Sequence, residues 1–84
     1  MASDLLDRMR SNPMSGWNKD DVERVCQAND VRCAPPSGGG SHYKVSHGSQ
    51  PEILTVPFRR PIKPVYVRKL VRFIDAVRNS NGKA

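Results

Sequence analysis

The chain has two histidines, and both fall within GGGSHYKVSH, residues 38–47. An imidazole ordinarily titrates near ~6.5, so it can take and return a proton at neutral pH. RNA supplies its own nucleophile to such a base: removing the 2′-hydroxyl proton lets that oxygen attack the adjacent phosphorus. The products are a 2′,3′-cyclic phosphate and a 5′-hydroxyl end, and cations stabilise the charge that builds on the non-bridging oxygens. Lys44, two residues beyond His42, suits that role, and Arg59 and Arg60 are further candidates. Gly38, Gly39 and Gly40 could bring backbone amides close to a phosphate, although a flexible hairpin loop would use the same residues. Taken alone, His42 is equally an exposed strand residue, and His47, beside Gly48, reads as a turn residue.

A zinc site is the other chemistry these residue types suggest. Cys26, Cys33, His42 and His47 are spaced Cys-x6-Cys and His-x4-His, which does not match the finger pattern. The two cysteines could pair, but with no signal peptide in view reduced thiols are expected, and Cys26 reads as a small core residue.

These side chains must be positioned by a small scaffold. At 84 residues the chain is one domain, with 37% hydrophobic and 6% aromatic residues. A domain of that size buries little more than ~60% of the surface its unfolded chain exposes. That favours a thin two-layer fold and argues against a multi-domain enzyme with a large substrate cavity. No apolar run approaches the ~18 residues of a membrane span, and Asp4 and Asp7 stand where a signal peptide would be basic, so a soluble, cytoplasmic protein is expected.

SDLLDRMRSNP predicts a short helix, with Ser3 as cap and Pro13 as stop. WNKDDVERVCQAND predicts a second, capped by Asn18 and ending near Asn29, with Val22, Val25 and Cys26 on its apolar face and Trp17 as a staple residue. VRCAPP then reads as a strand with Val31 and Cys33 on one side. SHYKVSH alternates, turning Tyr43 and Val45 to the core and His42 and Lys44 to solvent. HGSQPE reads as a turn and ILTVP as a third strand. The last helix begins near Pro64, with Val67, Leu70, Val71, Ile74 and Val77 on one stripe and Arg68, Lys69 and Arg72 off it. The expected fold is α+β, ordered α-α-β-β-β-α, with a three-stranded antiparallel sheet covered by helices on one face.

Charge is uneven. Residues 58–84 hold Arg59, Arg60, Lys63, Arg68, Lys69, Arg72, Arg78 and Lys83 against Asp75, a balance of +7, whereas residues 1–57 balance at −1. A net +6 chain with its cations gathered in one region invites a polyanion, since each Lys or Arg that meets a phosphate releases condensed counterions. A solvated helix face with no partner would carry the same pattern.

Gly40, Ser41, His42 and Tyr43, then Thr55, Val56 and Pro57, then Ile62, Lys63 and Pro64, and finally Val67, Arg68 and Leu70 together resemble the HicA family of toxins from bacterial toxin-antitoxin modules. The likeness runs from about Asn18 onward, over a core at 17–79, and residues 1–13 look like an N-terminal helical extension. The resemblance implies a double-stranded-RNA-binding-domain-like fold, metal-independent cleavage of mRNA, His42 as the catalytic residue, and a HicB-like antitoxin that covers the site. RNA contacts are expected from Gly40, Ser41, Lys44, Arg59, Arg60, Lys63, Arg68, Lys69 and Arg72, although Arg68, Lys69 and Arg72 could equally meet an acidic antitoxin surface, and no cofactor is expected. One departure is visible: many members carry a further histidine soon after the Val-Pro, where this chain has Phe58, Arg59 and Arg60. A non-catalytic RNA-binding module would use the same charge and fold, with His42 alone separating the two readings.

Overall fold

The computed structural model describes residues 4–36, 42–57 and 61–81. It is an α+β fold of three helices and one three-stranded antiparallel sheet, in the order α1 (Asp4–Ser11), α2 (Lys19–Ala28), β1 (Arg32–Ala34), β2 (His42–His47), β3 (Gln50–Pro57) and α3 (Pro64–Asn81). The expected element order is the observed one. Ser3, expected to cap α1, lies outside the described residues.

Helix α2 forms because both ends are closed by its own sequence. At its start Asp21 N–H donates to Asn18 Oδ1 and Asn18 N–H donates to Asp21 Oδ2, each at 3.1 Å. This reciprocal box satisfies two donors that a helix start leaves unpaired. At its end Val31 N–H donates to the Cys26 carbonyl at 2.8 Å and Asp30 N–H to the Gln27 carbonyl at 3.2 Å, with Asp30 at φ 60°. That is a Schellman closure with an aspartate in the left-handed position usually taken by glycine. Val31, just beyond it, is buried and starts the chain into β1.

In the sheet β2 is central and β3 is an edge. Arg32 faces Ser46, Cys33 faces Val45 and Ala34 faces Lys44 across β1 and β2. His42 faces Pro57, Tyr43 faces Val56, Lys44 faces Thr55 and Val45 faces Leu54 across β2 and β3. Residues that face one another share a side of the sheet, so Tyr43, Val45 and Val56 point to the core, where they are buried.

Strand β3 begins at Gln50, three residues earlier than the sequence suggests, which leaves Gly48 and Ser49 as the turn. Gln50, Pro51 and Glu52, expected within the turn, are therefore strand residues. Between the Val45–Leu54 and His47–Gln50 pairs the register shifts, with residues 51–53 of β3 opposing Ser46 of β2. Pro51 sits in that bulge on an edge strand, where its missing N–H is tolerated.

The helices cover the core side. Helix α2 packs on β1, α3 packs on β3, and α1 contacts both α2 and α3. All of the expected stripe on α3 is buried. Leu6 and Met9 of α1 are fully buried in the same cluster as Val22, Val45, Val56 and Ile74, so α1 packs as part of the one core. Burial of two such side chains contributes about 1.5–3 kcal/mol each.

Trp17 clasps the helical layer together. Its Nε1–H donates to the Asn12 carbonyl at 2.7 Å, Arg8 lies over its ring, and its carbonyl accepts from Ile62 N–H at 2.8 Å. Arg10 adds an exposed bridge from Asp7 to Asp75, tying α1 to α3. Among the described residues no helix is long and apolar enough to cross a membrane.

Candidate functional site

Alternation along β2 turns His42 and Lys44 away from the core, and both are exposed. Two residues of strand separate them by about 7 Å. Cross-strand pairing brings Thr55 and Ala34 to either side of Lys44, and Pro57 beside His42. Arg32, opposite Ser46, stands diagonally from Lys44 on the same face, about 7–8 Å away between Cα atoms. The open sheet face thus carries an imidazole and a cation along β2 and a second cation diagonally across on β1, at spacings close to that of successive phosphates on an extended strand of nucleic acid. A base at His42 with positive charge at Lys44 and Arg32 can remove a proton and hold an anion beside it.

Arg32 was not among the residues expected at the site. The signal was present in VRCAPP, because turning Val31 and Cys33 inward necessarily turns Arg32 outward.

The two histidines do not converge. The period of two puts His47 on the Tyr43 and Val45 side of β2, at the end of the strand and half-buried. Its Nδ1 accepts from Ser49 N–H at 3.0 Å and lies 2.8 Å from Ser49 Oγ. His47 therefore closes the β2–β3 turn. The four zinc-type ligands are also spread apart, with Cys26 in the core and His42 on the open face, and among the described residues no three His, Cys, Asp or Glu side chains gather around a metal position.

Tyr43 points inward beneath the site. Burial raises its phenol above the usual range, and a hydrogen bond to the Glu23 carboxylate raises it further. Cys26 and Cys33, both free thiols, meet where α2 packs on β1. The hydrogen bond between them raises Cys26, with burial adding to the effect, and the same bond lowers Cys33.

The cations of α3 occupy another side. Arg68, Lys69 and Arg72 are exposed, and Lys69 Nζ lies 5.7 Å from the centre of the Tyr66 ring. Lys69 and Arg72 flank a groove between α3 and β3, on the helical side of the sheet. Lys63 is exposed just ahead of α3, where its carbonyl accepts from Tyr66 and Val67 N–H and starts the helix. Gly38, Gly39, Gly40, Ser41, Arg59 and Arg60 lie outside the described residues. No family model, curated protein or solved structure matches this chain.

Proposed function

We propose that the protein is a metal-independent endoribonuclease that cuts mRNA in the bacterial cytoplasm, the toxin of a HicA-type module held in check by a HicB-like antitoxin. The observation that carries the proposal is the exposure of His42 on the open face of β2, directly after Gly-Ser, with Lys44 on the same face. The order α2-β1-β2-β3-α3 agrees with the double-stranded-RNA-binding-domain-like reading that the resemblance implies.

In this reading His42 takes the 2′-hydroxyl proton as the 2′-oxygen bonds to phosphorus. The bond from phosphorus to the 5′-oxygen breaks, and a proton returns to that oxygen. Lys44 and Arg32 offset the charge on the phosphoryl oxygens. General acid-base help of this kind is worth about 10² to 10⁴ in rate, so the enzyme is a modest nuclease. A toxin acting on many messages needs no more.

The placement of His47 in the turn favours a second reading, an RNA-binding module that does not cut. One imidazole on the open face must serve as both base and acid, or leave the acid role to water. Expression in a bacterial host separates the readings: the wild type arrests growth, His42→Ala does not, and co-expression of a HicB-like partner restores growth to the wild type. Normal growth with abundant folded wild-type protein contradicts the proposal.

A further inference from the structure

The far edge of the sheet carries features that the open face does not use. Strand β3 is an edge of eight residues, and among the described residues no strand pairs with its outer side. Outward N–H and C=O groups on such an edge are a template for another strand. The bulge and Pro51 blunt the first part of β3, but from Leu54 onward its pairing with β2 is regular. Ile53, at the junction, is 60% exposed.

Beside that edge runs a groove of about 420 Å³. Ile53 and Leu54 of β3 form one wall, Phe73 and Ala76 of α3 form the other, and Lys69 and Arg72 stand along the rim. Leu54 and Phe73 are half-buried against the core, so the groove floor continues the packed interior. An added strand would turn alternate side chains into it.

We propose that this edge and groove receive an extended, acidic segment of a partner protein, which adds to β3 as a fourth strand. The side chains that the segment turns toward the helical side fill the space between Ile53 and Phe73 with apolar groups and, further along that same face, set carboxylates against Lys69 and Arg72. Charge chooses this occupant. The rim has two cations against Glu52, and a second copy of a +6 chain would bring like charge to the edge. The apolar walls formed by Ile53, Leu54 and Phe73 offer phosphate no partner, which sets this surface apart from one built for RNA. The surface lies on the helical side, with Leu54 three residues along from Pro57, the partner of His42, so the inference stands whether or not the chain cuts RNA.

The test is an amide NMR titration of the full chain with the synthetic heptapeptide Glu-Thr-Val-Thr-Val-Thr-Glu, which as a strand turns both valines and both glutamates to one face, carried to millimolar concentration. Expected are shifts gathered at Ile53, Leu54, Thr55 and the Phe73–Ala76 turn of α3. Binding should fall about tenfold or more for Ile53→Lys and for Arg72→Glu, two exposed positions where folding is not at stake. The same peptide with glutamine in place of both glutamates should bind more weakly, and with lysine there not at all. No shifts at millimolar peptide, equal binding of all three peptides, or shifts confined to Arg32 and Lys44 would overturn the proposal. So would self-association of the free protein through β3. RNA cleavage by Ile53→Lys, measured alongside, reads the nuclease proposal separately.

Discussion

At the scale of single residues, what a side chain faces decides its chemistry. His42 and His47 are five positions apart in the same strand, yet one stands in solvent beside Lys44 and the other accepts from Ser49 to close a turn. The cysteines divide in the same way. The Cys26 thiol donates toward Cys33, so Cys26 holds its proton above the ordinary thiol value of 9.0 while Cys33 ionises below it. The thiolate is the reactive form, so iodoacetamide should label Cys33 first, with onset at lower pH than an ordinary thiol, and reach Cys26 only when the chain unfolds. Replacing Cys26 with alanine should move the Cys33 labelling profile back up toward 9.0. Equal labelling of both thiols in the folded protein, followed by mass spectrometry, contradicts this pairing.

At the scale of elements, the ends matter as much as the faces. Asp30 sits at φ 60° and closes α2 with an acidic side chain at the negative end of the helix dipole. Asp30→Gly removes both the left-handed strain and the charge, and should stabilise the protein by about 0.5–1 kcal/mol in urea unfolding. An unchanged or lower midpoint would mean that the Asp30 side chain holds something its backbone does not. The Asn18 cap of α2 and its end near Asn29, the start of α3 at Pro64 and the buried stripe of α3 were all legible in sequence, because each rests on local spacing, whereas the left-handed closure at Asp30 was not. The outward placement of His42 and Lys44 was legible for the same reason. The start of β3 was not, since only tertiary pairing reveals that Pro51 lies in a bulge. Arg32 was missed because, although the alternation of VRCAPP turns it outward, its place beside Lys44 depends on a cross-strand partner.

At the scale of the whole molecule, the helices gather on one side and leave the other face of the sheet open. The +7 balance of residues 58–84 does not all serve that face, because Lys69 and Arg72 lie on the helical side along the β3 edge. Two surfaces result: an open face with His42, Lys44 and Arg32, proposed to meet a polyanion, and the β3 edge with its groove, proposed to take an acidic strand. The α1 helix is bound into this arrangement through Leu6, Met9 and the Arg10 bridge to Asp75. The central claim concerns the open face, and it is tested most directly by incubating a mixed RNA substrate with the wild type and with His42→Ala in the presence of EDTA and analysing the product ends. The account predicts cutting by the wild type that leaves 2′,3′-cyclic phosphate and 5′-hydroxyl ends, reduced about 10²-fold or more by the substitution. Equal RNA binding by both proteins with no cutting by either would contradict it and make the open face a binding surface.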